Sequence, residues 1–304
     1  MAKVVCVGIS VFDYVFGVER LPEAHIKHYA LGRREVTGGI AANAARAVVR
    51  LGGRAALVSR VGDDLPGRMV RADLAREAGL DLDGLHALDG VRTSLSAVIV
   101  DASGERMLVN DTDPRALMGL EGVPPGVFEG ADAVLADTRW ADGAGLAVRA
   151  ARERGVPGVL DFDRVPDHGG TEALLDAASH VVFGRQGLLG LTGTADVADG
   201  LRRARELCPA GWLAVTAGAE GVFWLDDGAR VGHLPGHAVV AVDTLGAGDI
   251  FHAAFALALA EGRGEAEATR FGNAAAALKC ARPGGGAGAP TRGEVETFLR
   301  EQGQ

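Results

Sequence analysis

The chain has 304 residues, a net charge of −9 and a hydrophobic fraction of 48%. This length is sufficient for one large domain, and the acidic balance argues against nucleic acid or an anionic membrane as a partner. Three scattered cysteines, an N-terminus unlike a signal peptide and no apolar run long enough to span a bilayer predict a cytoplasmic protein.

Short apolar runs alternate with helical stretches along most of the chain. The runs cover residues 3–9, 55–61, 133–136, 156–160, 180–183 and 212–216. The helical stretches include residues 41–51, 65–78, 145–154 and 198–207. This alternation predicts an α/β fold, a central and mostly parallel sheet flanked by helices, within a single domain over 1–304.

Two segments interrupt the alternation. Residues 13–36 are long, polar and mixed, and residues 92–110 have the pattern of a hairpin around Ala102-Ser103-Gly104. Together they predict a small β-sheet lid that stands apart from the central sheet. Because such a sheet leaves one face and an edge uncovered, we also expect a homodimer that forms through the lid.

The stretch VDTLGAGDIFHAAFALALAEG, residues 242–262, places an acid where a bare turn becomes a helix. Gly246, Ala247 and Gly248 would present unpaired N–H groups at the positive end of the helix, where a phosphoryl group can bind. The same positive end favours an ionised Asp249, which could accept a proton from an attacking hydroxyl. Taken alone, the stretch also fits an ordinary tight turn with an acid in the first turn of its helix.

Four motifs resemble those of the ribokinase-like (PfkB-type) sugar kinases. DTLGAGD at 243–249 resembles the DTxGAGD signature, and VTGGIAANAARAVVRLGG at 36–53 resembles the N-terminal GG…N signature. VGDDLPG at 61–67 resembles the stretch that follows the N-terminal signature, and TAGAEG at 216–221 resembles the glycine turn on the nucleotide side. The resemblance extends from Val4 to Pro290 and implies a ribokinase-like fold and ATP-dependent transfer of a phosphoryl group to a sugar hydroxyl.

The resemblance also implies a role for each matching residue. Asp249 would be the general base, and the N–H groups of Gly246, Ala247 and Gly248 would hold the transferring phosphoryl group. The sugar hydroxyls would be bound by Asp13, Gly38, Gly39 and Asn43. ATP would lie along Thr216, Gly218, Gly221 and Asn273. A monovalent cation, K⁺, would be held by Asp243, Leu245 and Gly284, the last within the loop 282–288.

One motif of the family is absent. An Asn-x-x-Glu motif usually precedes Leu-Thr-Gly and organises Mg²⁺, but FGRQGLLGLTG has Gly184 and Gly187 at those positions. We therefore expect Mg²⁺ to be held largely by water and phosphate oxygens. Asp161 and Asp163, which end a strand on the expected active face, would touch substrate or metal through water.

Within the family the chain resembles the bacterial sulfofructose kinases, which also lack Asn-x-x-Glu. The shared stretches are CVGISVFD at 6–13, VLADTRW at 134–140, GLLGLTG at 187–193 and AALKCARPGG at 276–285. This resemblance implies phosphorylation of the 1-hydroxyl of 6-deoxy-6-sulfofructose, an anionic sugar. Lys27, Asn110 and Arg139 would then bind the sulfonate, which needs charge-assisted donors.

Alternatives remain open at this point. Arg139 could instead pair with Asp137 or Asp142, and Lys27 could be solvated. The acceptor could be fructose or ribose without any preference for a sulfonate. A catalytically silent sugar-binding protein would also fit the missing Asn-x-x-Glu motif, although an intact Asp249 opposes it.

Overall fold

The computed structural model describes residues 1–23, 25–103, 105–166, 169–209, 211–226 and 228–303. Gly104, the last residue of the predicted hairpin turn, lies outside the described residues. The strands are β1 Lys3–Val7, β2 Val11–Gly17, β3 Gly32–Gly38, β4 Arg54–Gly62, β5 Leu80–Asp81, β6 Leu85–Leu88, β7 Leu95–Val100, β8 Arg106–Asp111, β9 Ala133–Asp137, β10 Gly158–Phe162, β11 His180–Gly184, β12 Trp212–Thr216, β13 Val222–Leu225 and β14 Val231–Leu234. The helices are α1 Ile40–Arg50, α2 Leu65–Leu74, α3 Ala141–Arg154, α4 Thr171–Ala177, α5 Arg185–Thr192, α6 Val197–Leu207, α7 Ala247–Ala260, α8 Glu265–Cys280 and α9 Arg292–Glu301.

The described residues form a central sheet of ten strands. Its order is β14-β13-β12-β11-β10-β9-β1-β4-β5, and β6 pairs with β4 beyond the end of β5. The strands from β12 to β5 are parallel, whereas β13 and β14 complete one edge by antiparallel pairing. The predicted α/β fold with a mostly parallel sheet is confirmed.

Helices cover both faces of the central sheet and create two hydrophobic cores. One core contains α1, α7 and α8, and the other contains α3, α4 and α6. Helix α7 is buried from Ile250 to Leu259 because α1, α8 and the sheet surround it. Within the described residues, no helix combines the length and the hydropathy that crossing a bilayer requires.

Helix α2 is shorter than the sequence predicts. The pattern predicts a helix over 65–78, but α2 ends at Leu74. The N–H groups of Arg76 and Glu77 bond to carbonyl groups three residues earlier, at 3.2 and 3.0 Å, so the chain turns before Gly79. The tighter bonding pattern ends the helix while the residues still have helical propensity.

A second sheet stands apart and has the order β3-β2-β7-β8. Strand β2 pairs antiparallel with β3 and parallel with β7, and β7 pairs antiparallel with β8. The register places Asp13 beside Ser96 and Ser96 beside Asn110, so these three polar residues share one face. The predicted small sheet is therefore confirmed, and one of its faces carries a row of polar side chains.

Candidate active site

Polar side chains gather at the carboxyl edge of the central sheet. Asp137 ends β9, Asp161 lies near the end of β10, and Thr216 ends β12. Helix α7 begins beside the same edge, because His252 in its first turns contacts both Asp161 and the carbonyl group of Val182. Ligands of open α/β sheets bind outside the carboxyl ends of the strands, so a ligand site is expected at this edge.

The N-terminus of α7 presents free backbone donors. Gly246 caps the helix with φ of 79°, a left-handed conformation that a residue without Cβ adopts readily. In the described part of the chain, the N–H groups of Gly246 and Gly248 donate to no other residue, whereas that of Ala247 points at the Thr244 carbonyl group, 3.3 Å away. Free donors at the positive end of a helix are suited to binding an anion, and the phosphoryl-binding role of this turn stays a prediction.

Asp249 follows this turn, and Asn43 of α1 holds its carboxylate. The Nδ2 of Asn43 donates to the Oδ2 of Asp249 over 2.7 Å. Burial and the negative charge of Asp161 raise the pKa of Asp249 to about 7, although the Asn43 amide and His252 act in the opposite direction. The positive end of the helix alone predicted a readily ionised Asp249, but burial of the side chain raises its pKa instead. A carboxylate with a pKa near 7 is suited to general base catalysis.

His252 and Asp161 form a buried pair that the sequence analysis did not assign. The Nδ1 of His252 lies 2.9 Å from Asp161 Oδ2 and 2.7 Å from the carbonyl oxygen of Gly248. Burial alone would lower the pKa of His252, but the Asp161 carboxylate reverses this and raises it. A histidine three positions after Asp249 in an otherwise apolar helix was the available signal.

A cavity of about 410 Å³ lies between the small sheet and the central sheet. Asn110 of the small sheet and Arg139, which follows β9, both line it, together with Ser94, Thr138 and Arg164. Asp13 is buried in the same polar row as Asn110, and burial raises the pKa of its carboxyl group despite a hydrogen bond with Ser96. Two predicted sulfonate ligands therefore line one cavity.

The Asp13 carboxylate lies directly against the backbone at Gly38. A Cβ atom at Gly38 would lie 2.1 Å from the Oδ2 of Asp13, so only glycine allows this approach. Gly39 follows as the N-cap of α1, the helix that carries Asn43. The predicted sugar-binding residues Asp13, Gly38, Gly39 and Asn43 thus come from the contact between the small sheet and α1, and their role in binding sugar stays a prediction.

Arg139 has a partner that the sequence analysis did not name. Its Nε donates to the Oδ2 of Asp163 over 2.7 Å, and only its backbone N–H reaches Asp137, at 3.0 Å. Asp142 accepts instead from the N–H of Gly119. Lys27 is exposed in the loop between β2 and β3 and is not among the described residues that line the 410 Å³ cavity.

A second cavity, of about 730 Å³, is lined in part by the first residues of α7. The four residues predicted to lie along ATP all line it, and so do two residues of the predicted phosphoryl site: Thr216, Gly218, Gly221, Asn273, Ala247 and Gly248. Asn273 is oriented by a 2.9 Å hydrogen bond from its Nδ2 to the Pro235 carbonyl group. The start of α7 is therefore next to a cavity of nucleotide size.

The acids near the site do not form a metal-binding set. Among the described residues, no three His, Cys, Asp or Glu side chains converge as metal ligands. Asp161 and Asp163 are paired with His252 and Arg139, and their contact with metal or substrate through water stays a prediction. A Cβ atom at Gly187 would lie 2.1 Å from the carbonyl oxygen of Phe162, so the backbone here excludes the glutamate of the Asn-x-x-Glu motif.

The residues predicted to hold K⁺ surround the turn before α7. The Oδ2 of Asp243 accepts from the N–H groups of Gly284 and Gly285 at 2.9 and 3.1 Å, and its Oδ1 accepts from the N–H of Leu245. Burial would raise the pKa of Asp243, but these N–H donors and the nearby Lys279 lower it. The turn and the loop 282–288 are thus joined through one ionised carboxylate.

Comparison with known proteins identifies the family. The model of the pfkB family carbohydrate kinases matches residues 1–292. The chain belongs to this family. This kinase is 33% identical to the ATP-dependent ribose-1-phosphate kinase of Halopiger xanaduensis, with 99% of each chain covered. It is 31% identical to the ribokinase of Bacillus subtilis, over 98% of this chain and 100% of that one.

Solved structures agree with this assignment. A protein provisionally described as a ribokinase from Agrobacterium tumefaciens superimposes with a TM-score of 0.94 and 40% identity, covering 99% of this chain and 98% of that one. The ribokinase of Arabidopsis thaliana, complexed with ribose and ATP, gives a TM-score of 0.82 and 26% identity, with 98% of each chain covered. This kinase is therefore a phosphotransferase that uses an alcohol group as its acceptor and has the ribokinase-like fold.

Proposed function

We propose that this ATP-dependent sugar kinase moves the γ-phosphoryl group of ATP onto a sugar hydroxyl, with Asp249 as the general base. The observation that carries the proposal is the Asn43–Asp249 hydrogen bond of 2.7 Å at the start of α7, where the pKa of Asp249 is raised to about 7. The buried Oδ1 of Asn43 has no hydrogen-bond partner among the described residues. It lies against Gly286, where an added Cβ atom would be 2.1 Å away, so an unpaired acceptor is buried beside the start of α7.

The reaction follows from these positions. The sugar hydroxyl loses its proton to the Asp249 carboxylate as its oxygen bonds to the γ-phosphorus, and the bond from that phosphorus to the bridging oxygen of ADP breaks. The N–H groups of Gly246 and Gly248 donate to the oxygens of the transferring group, where charge develops. Mg²⁺, held by phosphate oxygens and water, would neutralise charge on the nucleotide when bound.

Replacement of Asp249 by Asn tests the base. We expect kcat to fall by about 10²- to 10⁴-fold, because the proton then has no acceptor, with little change in the Kd for ATP. Asp199→Asn is the matched control, since Asp199 is also a first-turn acid but lies at the start of α6. If Asp249→Asn keeps the kcat of the unmodified enzyme, the base assignment is wrong.

We further propose that the acceptor carries an anionic group opposite the reacting hydroxyl, and that it is 6-deoxy-6-sulfofructose phosphorylated at its 1-hydroxyl. Two arginines, Arg139 and Arg164, line the 410 Å³ cavity together with the amide of Asn110. Guanidinium and amide groups are suitable donors for a sulfonate. The Halopiger xanaduensis relative is named for a phosphorylated sugar, which supports an anionic acceptor. Lys27, exposed in the loop next to β2, would join them by a movement of that loop.

Fructose or ribose is the second candidate acceptor, supported by the ribokinase of Bacillus subtilis and the fructokinase of Klebsiella pneumoniae, each 31% identical. A panel of ketoses and pentoses with and without a sulfonate or phosphate distinguishes the two by kcat/KM. Turnover of plain fructose or ribose at or above that of the anionic sugars would remove the sulfonate proposal.

Arg139→Gln refines the acceptor experiment. It should lower kcat/KM for anionic acceptors by about tenfold or more relative to neutral ones, because a charge-assisted hydrogen bond is lost. Arg152→Gln is the matched control, since the pair Arg152–Asp176 is exposed and bridges α3 and α4. An equal loss for charged and neutral sugars would show that Arg139 supports only the fold.

We also propose a homodimer that forms through the outer face of the small sheet. The register aligns Tyr14, Ala97 and Val109 across this face, and Val109 is 64% exposed. Light scattering at micromolar concentration should give a dimer, and Val109→Asp should give a monomer because it places a charge in the apolar contact. Val240→Asp is the control, because Val240 is 85% exposed outside this sheet. A monomeric unmodified protein would contradict the proposal.

A further inference from the structure

One lysine is completely buried at the end of α8. Lys279 has a relative exposure of 0% and lies in the last turn of the helix. Three of the 31 basic residues of the chain are lysines, the others being arginines. Lys279 is the one buried lysine among the described residues, in a chain whose basic residues are mostly arginine. This choice indicates a requirement for a compact positive charge.

The ammonium group of Lys279 is surrounded by oxygen atoms. Its Nζ donates to the carbonyl oxygen of Asp243 over 2.7 Å and to that of Arg282 over 3.1 Å. The Oδ2 of Asp243 lies 3.5 Å away. An ammonium has three N–H donors, so these three oxygens match its bonding capacity. Burial lowers the pKa of Lys279, and the charge of Asp243 counteracts this.

These contacts join the two segments that shape the phosphoryl site. Asp243 lies three positions before Gly246, the cap of α7, and Arg282 begins the loop 282–288. That loop approaches both Gly246 and Asn43, because a Cβ atom at Gly246 would lie 3.4 Å from Gly286 N and a Cβ atom at Gly286 would lie 2.1 Å from Asn43 Oδ1. The position of the loop therefore affects the cap of α7 and the residue that holds Asp249.

The same geometry does not fit the K⁺ predicted from the sequence. K⁺ is held in proteins by several carbonyl oxygens that replace its water shell. The carbonyl oxygens of Asp243 and Arg282 already accept from Lys279, and Asp243 Oδ2 accepts from Gly284 and Gly285. A second positive charge among these atoms would be repelled by the ammonium group.

We infer that Lys279 acts as a built-in monovalent cation, a positioning residue that holds the turn before α7 against the loop 282–288 and makes the kinase independent of K⁺. This inference rests on the proposed phosphoryl site at the start of α7. The proposed phosphoryl site thereby gains Lys279 as the residue that fixes the turn before α7. An ammonium attached to α8 cannot dissociate, so the turn keeps its form at any external concentration of K⁺.

The first experiment uses the unmodified enzyme. Phosphorylation rates are measured with tetramethylammonium as the only added cation besides Mg²⁺, and then with Na⁺, K⁺ or Cs⁺ at equal ionic strength. We expect kcat to vary by less than about twofold, since no alkali cation enters the site. Activation of several-fold by K⁺ but not by Na⁺ or Cs⁺ would overturn the inference.

The second experiment removes the ammonium in two ways. Lys279→Met keeps most of the side-chain volume without charge, whereas Lys279→Ala leaves room for an added cation. We expect both to lose about tenfold or more in kcat through misplacement of the site, and K⁺ or ethylammonium to restore Lys279→Ala but not Lys279→Met. Lys3→Met is the matched control, because Lys3 donates to the Glu129 carbonyl group over 2.9 Å, near the N-terminal end of β1. It should keep the activity of the unmodified enzyme.

Thermal unfolding provides a readout that does not depend on the reaction. The Tm of Lys279→Ala should rise on addition of K⁺ or ethylammonium, whereas the Tm of the unmodified protein and of Lys279→Met should not respond. A folded Lys279→Ala whose Tm and kcat both ignore these cations would overturn the inference. If the unmodified enzyme phosphorylates no sugar but the Tm pattern holds, the proposed function fails and the built-in cation stands.

Discussion

Asn43 on α1 donates a hydrogen bond of 2.7 Å to the carboxylate of Asp249 on α7, across a sequence separation of 206 residues. The amide stabilises the ionised form of Asp249, while burial and Asp161 favour the protonated form. The balance places the pKa of Asp249 at about 7. A base with this pKa is ionised in a large fraction of molecules at neutral pH and still has a strong affinity for a proton.

The activity of the unmodified kinase should depend on pH through Asp249. Below its pKa of about 7 the carboxyl group is protonated and cannot accept the hydroxyl proton, so kcat/KM should fall about tenfold per pH unit on the acidic side. Initial rates between pH 5 and pH 9, at constant ionic strength, measure this limb. A profile that stays flat down to pH 5 would contradict the raised pKa.

Asn43→Leu should move that acidic limb to higher pH. Without the amide donor the ionised form of Asp249 loses a charge-assisted hydrogen bond, which raises its pKa further. Asn110→Ala is the matched control, because Asn110 lines the 410 Å³ cavity and, within the described residues, makes no hydrogen bond to Asp249. It should change the KM for sugar and leave the limb in place. A limb that does not move in Asn43→Leu would show that the hydrogen bond does not tune the base.

Gly38→Ala should weaken sugar binding specifically. The new Cβ would lie 2.1 Å from the Oδ2 of Asp13, so that carboxylate must move. We expect the KM for the sugar to rise about tenfold, with the KM for ATP unchanged, as a displaced positioning group commonly costs this much. Gly32→Ala on the same strand is the control, since no heavy atom lies within 4 Å of its added Cβ. Equal effects of the two variants would argue against Asp13 as a sugar ligand.

Glu294→Gln should destabilise the C-terminal helix without affecting catalysis. Glu294 accepts from the N–H and Oγ1 of Thr291 at 2.7 and 2.8 Å, which completes the capping box of α9. Because the Glu294 side chain is 43% exposed, solvent screens its pair with Arg282 and the capping bonds dominate. The free energy of unfolding should therefore fall by about 1 kcal/mol at neutral pH.

The effect of Glu294→Gln should also depend on pH. Hydrogen bonds from Arg282 and Thr291 lower the pKa of Glu294 from 4.5 to about 2. Since the folded-state pKa is the lower one, the stabilisation is complete above pH 4.5 and is lost as the pH falls through 2. Urea unfolding at neutral and acidic pH measures it, with Glu301→Gln at the other end of α9 as the control. A difference that grows towards acidic pH would contradict this account.

Much of the architecture could be predicted because it depends on local patterns. The apolar run Trp212–Thr216 has the predicted bounds as β12, and α1, α6 and α7 begin within one residue of the positions that the sequence indicates. Such elements are determined by the apolar periodicity and the glycine positions of a short contiguous segment. The early end of α2 at Leu74 was missed because hydrogen bonding in the turn, rather than the apolar pattern, ends the helix.

The sequence by itself determined the family, the α/β fold and the turn that carries Gly246, Gly248 and Asp249, because each is encoded in contiguous residues. Only the tertiary structure decided that Asn43 holds Asp249, that Asp163 rather than Asp137 or Asp142 pairs with the Arg139 side chain, and that the ammonium of Lys279 lies on the Asp243 carbonyl group. These contacts depend on burial and on distances between groups far apart in the chain. The order of residues in a sequence gives neither the burial of a side chain nor the distance between remote groups. The raised pKa of Asp249 follows from its burial and from its distance to Asp161.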